Sequence, residues 1–322
     1  MKLLVDGVWH SGFQPLKGER ISAGSFRNFI SADGSSGFKA QPDRYHLYVS
    51  YACPFAHRTI LARKLKGLEN VISISVLSPD WGDPNGWIFG NWKDTTPDTI
   101  NGFDYLHQVY TKAKPDFTGR VTVPVLWDKI TGTIVNNESA DILRMLVTEF
   151  DAFGNASLDL YPQDLRAEID QINAFVSDRI NIGVYKVGFA SSQADYDGAI
   201  DPLFEALDTL ETQLSGKQYL VGDRFTQADI RLFVTLVRFD AAYYGALNCN
   251  LRHLTDYPNL WNYTRHIYHL PDVAETVKFD HIKRHYFNTY EGVINRRIIP
   301  RGPIVDFDLA PTKAMTAAAI AA

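Results

Sequence analysis

Residues 46–59 of this chain are HLYVSYACPFAHRT, and their pattern changes from strand-like to helical within that stretch. His46 to Ser50 is rich in residues that favour strands. Phe55 to Lys66 is predicted to be a helix, because basic residues fill its last turn and Gly67 is placed to end it. Val71 to Val76 is a second strand, rich in β-branched residues. A strand, a helix and a strand this close together predict a βαβ unit with two parallel strands.

A second group of elements follows a long insertion. Val121 to Trp127 is predicted to be a third strand, in which Pro124 cannot donate a ladder hydrogen bond. Thr133 to Val135 is its short partner, and Glu138 to Phe150 is predicted to be a helix with one apolar face. The insertion, residues 78–119, is rich in Gly, Pro and Trp, and loops of that length are uncommon unless they serve a function. The order β-α-β, insertion, β-β-α predicts an α/β first domain.

The second half of the chain is predicted to be all-α. Beyond Leu160 the strand patterns stop, and apolar residues recur at helical spacing, as in the leucines at 203, 207, 210 and 214. Thr226 and Asp229 have the spacing of a capping box at a helix start. The predicted organisation is an N-terminal extension over 1–45, the α/β domain over 46–151, an all-α domain over 152–303 and a tail over 304–322.

The composition excludes several classes of protein. The chain has 322 residues, of which 45% are hydrophobic and 21% charged, with a formal net charge of −5. These values are typical of a folded globular protein, and a net negative charge provides no basic field for nucleic acid or anionic lipid. No apolar run approaches the roughly eighteen residues that span a bilayer, and the run before Asp6 is too short for a signal peptide. The two cysteines, Cys53 and Cys249, form no disulfide framework and suit a reducing compartment. We therefore expect a cytoplasmic protein without a nucleic-acid or membrane partner.

Cys53 lies between the end of the first predicted strand and the start of the first predicted helix. The unpaired N–H groups at a helix N-terminus carry about half a positive charge and favour a thiolate over a thiol. Such sites lower the pKa of cysteine from about 8.5 to between roughly 3.5 and 7.5. Pro54 is tolerated in the first turn, where its missing N–H would have been unpaired. We predict that Cys53 is a catalytic nucleophile rather than a small buried apolar side chain.

Ala56 occupies the position at which a redox dithiol has its second cysteine. Without a neighbouring thiol, Cys53 cannot form the internal disulfide of a thioredoxin and must exchange with an external thiol. Glutathione is the abundant thiol of a reducing cytosol, so it is the expected co-substrate. Cys249 has no activating context in the helical half and is predicted to be inert.

Two further segments are candidates for holding glutathione. In a thioredoxin-like sheet, a cis peptide bond before Pro124 would expose the backbone of Val123 to the cysteinyl backbone of glutathione, whereas an ordinary trans bond is the commoner case. Glu138 and Ser139 begin the next helix. The free N–H groups and the Ser139 hydroxyl suit the γ-glutamyl carboxylate, and Glu138 can accept from its ammonium group. The alternative is that both residues only start the helix.

Several motifs, taken together, resemble the glutathionyl-hydroquinone reductases, the xi class of glutathione transferases. The similarity extends from about Trp9 to Pro303. It rests on Cys53 to Thr59, Gly86-Trp87, Arg120 to Asp128, Asn137 to Ala140, Gly183 to Ala190 and His281 to Tyr286. One departure is visible, since the family usually has tryptophan where Phe55 stands. Phenylalanine keeps an aromatic ring but lacks the indole N–H, so it should alter local packing more than chemistry.

The resemblance implies a thioredoxin-like N-terminal domain, an all-helical glutathione-transferase C-terminal domain that carries the acceptor site, and a homodimer. It implies that Cys53 attacks the glutathione sulfur of a glutathionyl-hydroquinone, giving the hydroquinone and a Cys53–glutathione mixed disulfide. A second glutathione then releases glutathione disulfide. No metal is implied.

The resemblance also assigns roles to individual residues. Trp87 should pack on glutathione, Arg120 should pair with a carboxylate, Val123 should supply backbone hydrogen bonds, Glu138 and Ser139 should hold the γ-glutamyl end, and Tyr185 and Tyr286 should hydrogen-bond the hydroquinone oxygens. Phenols with a pKa near 10 can donate at neutral pH, which suits the last role. Two alternatives remain: an omega-like thioltransferase or dehydroascorbate reductase, and a non-catalytic glutathione-fold protein that binds ligands.

Overall fold

A computed structural model of the protein describes residues 1–13, 25–288 and 298–311. The chain forms two compact units, residues 1–156 and 157–322, which divide slightly beyond the boundary predicted after residue 151. The central part of the N-terminal extension, residues 14–24, and most of the predicted tail, residues 312–322, lie outside the described residues.

The described part of the first unit contains short strands and three α-helices. Its strands are β1 (Leu3–Val5), β2 (Val8–His10), β3 (Ile30–Ser31), β4 (Phe38–Lys39), β5 (Tyr45–Val49), β6 (Ser73–Val76), β7 (Val125–Asp128) and β8 (Thr133–Asn136). Its α-helices are α1 (Pro54–Leu65), α2 (Leu106–Ala113) and α3 (Ser139–Thr148).

A four-stranded sheet in the order β6-β5-β7-β8 forms the centre of this unit. β5 pairs in parallel with β6 and antiparallel with β7, and β7 pairs antiparallel with β8. Every residue of β5 is buried, and α1 packs against α3. This βαβ-ββα arrangement is the predicted thioredoxin-like fold.

The predicted elements differ from the observed ones mainly at their ends. α1 ends where expected, because Gly67 adopts φ +64° and Leu68 N donates to Arg63 O at 2.9 Å. The strand predicted from Val121 begins only at Val125, since Pro124 has no N–H to give to a ladder. Glu138, predicted as the first helical residue, is instead the N-cap of α3.

The insertion, residues 78–119, is more ordered than a loop. It contains α2, and the carboxylate of Asp98 accepts hydrogen bonds from three backbone N–H groups and from the Tyr48 hydroxyl. Tyr48 lies on β5, so this turn is anchored to the central sheet. The extension also has structure: β1 and β2 form an antiparallel hairpin, and Asn28 N donates to Val135 O alongside β8.

In the second unit, the described residues contain helices and no strand, as predicted. The helices are α4 (Arg166–Val176), α5 (Gly183–Gly188), α6 (Gln193–Gln213), α7 (Gln227–Leu236), α8 (Tyr244–Ala246), α9 (Pro258–Tyr268) and α10 (Phe279–Asn288), with π-helical turns at Ser177–Asn181 and Phe239–Tyr243. The four leucines predicted from spacing lie buried along and just beyond α6.

The predicted capping box is present at the start of α7. Thr226 Oγ1 accepts from Ala228 N, and Asp229 Oδ2 accepts from Thr226 N at 2.8 Å. The other oxygen of Asp229 accepts from Leu220 N and from the Tyr263 hydroxyl, both at 2.9 Å. Burial raises the pKa of the Asp229 carboxyl to about 6, against the lowering effect of these hydrogen bonds. One carboxyl thus joins the start of α7 to α9 and to the preceding loop.

Across the described residues, no helix combines the length and the apolar character needed to cross a bilayer.

Candidate active site

Cys53 is the N-cap residue of α1, with φ −78° and ψ 122°. Its carbonyl accepts the first helical hydrogen bond, from His57 N at 2.9 Å, and Pro54 occupies the first turn. The side chain is half-buried, and its thiol donates to Val123 O with an Sγ–O distance of 3.7 Å. Cys53 therefore lies at the positive end of α1 and is not fully buried, as its position in the sequence predicts.

Val123 and Pro124 lie beside this sulfur, just before β7. The peptide bond between them is cis, and both residues are buried. Cys53 and Val123 are thus brought together although they are separated by 70 residues.

Glu138 and Ser139 lie at the start of α3. The Glu138 carboxylate accepts from Ala140 N at 3.1 Å and from the Ser139 hydroxyl at 3.4 Å. Glu138 is half-buried and Ser139 is 3% exposed. Part of the hydrogen-bonding capacity of this helix start is therefore used by its own side chains.

Arg58 joins the two helix starts, a role that the sequence did not reveal. Its buried guanidinium donates from Nη1 to Ser139 Oγ at 3.2 Å and lies 4.9 Å from the centre of the Phe55 ring. Arg58 is in the second turn of α1, so it connects the helix of the reactive sulfur to the start of α3. The Phe55 ring thus packs on a guanidinium.

Tyr110, on α2, is a second connecting residue that sequence reasoning missed. Its hydroxyl donates to Thr122 O at 2.9 Å and accepts from Thr122 N at 3.3 Å. It also accepts from Asn137 Nδ2 at 3.1 Å. Thr122 precedes Val123, and Asn137 precedes Glu138, so one phenol oxygen holds two of the predicted glutathione segments. Burial raises the pKa of Tyr110, which keeps this phenol neutral.

Trp87 lies in the first part of the insertion, and Arg120 directly follows its last residue. Trp87 is buried, and its ring centre lies 6.1 Å from that of Trp81. Arg120 is exposed and follows Gly119, which pairs with Leu4. Their predicted contacts with glutathione stay predictions.

Two further positions agree with single-cysteine exchange. Ala56, at the place of a resolving cysteine, is fully buried within α1. Cys249 is also fully buried, and burial raises the pKa of its thiol well above the ordinary value. Cys249 belongs to the second unit, and its burial supports the prediction that it is inert.

In the second unit, Tyr185 and Tyr286 are brought together. Their hydroxyl oxygens are 2.6 Å apart, and the Tyr286 oxygen is 3.4 Å from that of Tyr243. Tyr185 is half-buried, whereas Tyr286 and Tyr243 are almost fully buried. Tyr185 is therefore the member of this tyrosine trio (Tyr185, Tyr243 and Tyr286) with a surface for a ligand. Sequence reasoning found two of the three; Tyr243 carries no motif that distinguishes it from the other tyrosines of the chain.

Comparison with protein families assigns both units to known domain types. Residues 52–149 match the model for the N-terminal domain of glutathione S-transferase. Residues 193–266 match the model for the C-terminal domain of glutathione S-transferase.

The similarity to individual proteins covers nearly the whole chain. The Escherichia coli K12 glutathionyl-hydroquinone reductase YqjG is 48% identical over 96% of this chain and 97% of its own length. The Sphingobium chlorophenolicum glutathionyl-hydroquinone reductase PcpF is 49% identical over 94% of this chain and 96% of its own. Among solved structures, a xi class glutathione transferase from Natrialba magadii matches with a TM-score of 0.92 and 45% identity, covering 98% of this chain and 96% of the other. The glutathione-bound structure of YqjG matches with a TM-score of 0.90 and 47% identity, covering 96% and 98% of the two chains.

Proposed function

This chain belongs to the xi class of glutathione transferases, the glutathionyl-hydroquinone reductases, and on that premise we propose that it removes glutathione reductively from glutathionyl-hydroquinones. The observation that carries the proposal is the half-buried Cys53 sulfur at the start of α1, beside the Val123 carbonyl and with alanine in place of a resolving cysteine. A thiol in that position is suited to exchange with an external thiol rather than to form an internal disulfide.

The reaction has two steps, both centred on Cys53. In the first, the Cys53 thiolate attacks the glutathione sulfur of the conjugate; an S–S bond forms, the C–S bond to the ring breaks, and the ring carbon takes up a proton. In the second, the thiolate of a free glutathione attacks the mixed disulfide and releases glutathione disulfide and the Cys53 thiolate. Over the two steps, the thioether sulfur of the conjugate and the thiol sulfur of the free glutathione each lose one electron, and the ring carbon gains two. Atoms and electrons therefore balance, and Cys53 is regenerated.

Five residues of the first unit are proposed to hold glutathione. Trp87 packs on the tripeptide, Arg120 pairs with a carboxylate, Val123 offers its backbone, and Glu138 and Ser139 take the γ-glutamyl end. The hydrogen bonds from Tyr110 and Arg58 to these segments support the proposal, because they hold Val123, Glu138 and Ser139 in a defined arrangement.

Tyr185 and Tyr286 are proposed to hydrogen-bond the oxygens of the hydroquinone. The 2.6 Å separation of their hydroxyl oxygens supports a joint role, since each phenol can donate one hydrogen bond while it accepts another. Tyr185 is the more accessible of the two. A hydrogen bond donated to a hydroquinone oxygen stabilises the negative charge that develops on the ring as the C–S bond breaks, before the ring carbon takes up its proton.

We also propose a cytoplasmic homodimer. Reduced glutathione is available in the cytosol, and the family resemblance supports the dimer. Size-exclusion chromatography with light scattering would measure the mass of the assembly directly.

The proposed function is tested with the Cys53→Ala variant and a panel of glutathionyl-hydroquinones. Steady-state turnover to hydroquinone and glutathione disulfide should be lost, while the affinity for glutathione is kept. Cys249→Ala is the matched control and should retain full turnover. Equal activity in wild type and Cys53→Ala would favour the non-catalytic alternative. Faster reduction of small mixed disulfides or dehydroascorbate than of every hydroquinone conjugate would favour the omega-like enzyme.

A further inference from the structure

We propose that the N-terminal hairpin, residues 2–10, is a positioning element for glutathione binding, acting through Trp9 and Lys2. This inference rests on the proposed function, because it concerns the segments that carry Trp87 and Arg120. Neither the family models nor the motifs around Cys53 assign a role to these residues.

One side of the hairpin holds the segment that leads into Trp87. The Trp9 indole donates from Nε1 to Pro84 O at 2.8 Å. The Lys2 ammonium donates to Trp81 O at 2.6 Å and to Asp83 O at 2.8 Å. It also lies 5.5 Å from the centre of the Trp81 ring, and that ring in turn lies beside Trp87. Three backbone carbonyls just before Trp87 are thus held by two side chains of the hairpin.

Gly86 lets the Trp9 ring approach the backbone directly. A Cβ atom on Gly86 would lie 2.8 Å from Trp9 Cζ2, and its φ of +80° is a conformation that side chains disfavour. The Trp9 ring also stacks on the ring of His107, with the two ring centres 4.8 Å apart. The Gly86-Trp87 pair therefore has a physical partner on the hairpin, distant from it in sequence.

The other edge of the hairpin holds the segment that leads into Arg120. Leu4 and Gly119 exchange both backbone hydrogen bonds, at 3.0 and 2.9 Å. Gly7 N donates to Phe117 O at 3.0 Å, and Asp6 N donates to Thr118 Oγ1 at 2.8 Å. The hairpin thus contacts the segment just before Trp87 and the segment just before Arg120.

A structural role and a positioning role of the hairpin predict different effects on glutathione binding. If the hairpin positions the two segments, its disruption should weaken glutathione binding and leave the chemical step at Cys53 intact. If it only stabilises the fold, its disruption should lower the melting temperature and the active fraction, with KM for glutathione unchanged.

The test measures glutathione binding by isothermal titration calorimetry in the Cys53→Ala background, where no mixed disulfide can form. Trp9→Ala removes the hydrogen bond and the ring, and should raise the Kd about tenfold; Lys2→Met and Trp9→Phe should each raise it about threefold. Val8→Ala is the control, because Val8 is on the same hairpin but is exposed, and should change the Kd less than about twofold. With Cys53 present, KM for glutathione should rise in the same order while kcat stays within about twofold.

Each outcome decides between the possibilities. If the parent binds glutathione and Trp9→Ala binds it equally well, the positioning role is wrong. If Trp9→Ala fails to fold, unchanged affinity in both Trp9→Phe and Lys2→Met rejects the role, and weakened affinity in folded protein supports it. A parent that binds no glutathione would overturn the proposed function itself, and the inference with it.

Discussion

At the scale of single residues, the proposed chemistry depends on the Cys53 sulfur at the start of α1. A thiol in that field should be alkylated as the thiolate below neutral pH. We expect the rate of alkylation by iodoacetamide to reach half its maximum below pH 7, measured by mass spectrometry of intact protein. Cys53→Ala is the control, since Cys249 is buried. A midpoint near the ordinary value of about 8.5 would contradict the effect of the helix terminus.

A substitution at Tyr185 tests the binding of the hydroquinone separately from the thiol exchange with glutathione. Tyr185→Phe removes the oxygen that lies 2.6 Å from the Tyr286 hydroxyl and keeps the ring. Turnover of glutathionyl-hydroquinones should fall at least about tenfold, because proton and hydrogen-bond donation to the reacting group is lost. Reduction of a small glutathione mixed disulfide should be unchanged.

A matched control for Tyr185 exists in the same unit. Tyr196→Phe removes a hydroxyl that donates to Asn248 O at 3.0 Å rather than to a tyrosine of the trio. It should leave turnover of both substrates unaltered. Equal losses on the two substrates in Tyr185→Phe would exclude an acceptor role for this phenol.

At the scale of elements, α2 holds the start of β7 and the start of α3 through one hydroxyl. Tyr110→Phe leaves Asn137 Nδ2 and the polar backbone of Thr122 without that partner, so the free energy of unfolding should fall by about 2 kcal/mol. KM for glutathione should rise about fivefold, because Val123 and Glu138 directly follow the two released residues. Urea unfolding and steady-state kinetics measure the two effects.

Tyr45→Phe is the control that separates a loss of stability from a loss of glutathione binding. Tyr45 lies on β5, and its hydroxyl donates to Lys39 O at 2.8 Å, a contact within the same unit but outside the proposed glutathione segments. Its loss should cost stability and leave KM for glutathione unchanged. If Tyr110→Phe behaved in the same way, α2 would be a structural support only.

At the scale of the whole molecule, a buried histidine links stability to pH. Burial lowers the pKa of His46, on β5, from 6.5 to about 4. Between these values the unfolded chain binds a proton that the folded protein does not, so the stability from His46 is present above pH 6.5 and is lost as the pH falls.

The His46→Asn variant removes this titration. Between pH 7.5 and pH 5 the wild-type free energy of unfolding should fall by about 2 kcal/mol more than that of the variant, measured by urea unfolding. Asp229 contributes to the stability with the opposite sign, because its raised pKa favours the folded state as the pH falls below about 6. This contribution is the same in wild type and variant, so it cancels in the difference between their free energies of unfolding. Parallel pH profiles would show that His46 is not responsible.

Several features of this molecule were predictable because they depend on neighbours in the sequence. The strand, cysteine, proline and basic last turn around α1 are local signals, and the observed helix agrees with them within one residue. The capping box of Thr226 and Asp229 is also local. Even the pairing of Val123 with Cys53 followed from a local proline combined with the expected topology of the sheet.

The contacts that arrange the candidate site were not predictable in this way. Arg58 reaches Ser139 across 81 residues, Tyr110 joins two segments of which neither is adjacent to it, and Trp9 meets the backbone beside Gly86. A side chain's type shows what it can bond, but its partner depends on which distant backbone the fold brings within about 3 Å. The sequence alone therefore predicted the candidate nucleophile and determined the order of elements and the kind of reaction. Only the tertiary structure decided which side chains hold the surroundings of Cys53 in place. The physical reason is that contacts between residues far apart in the chain leave no periodic pattern in the sequence.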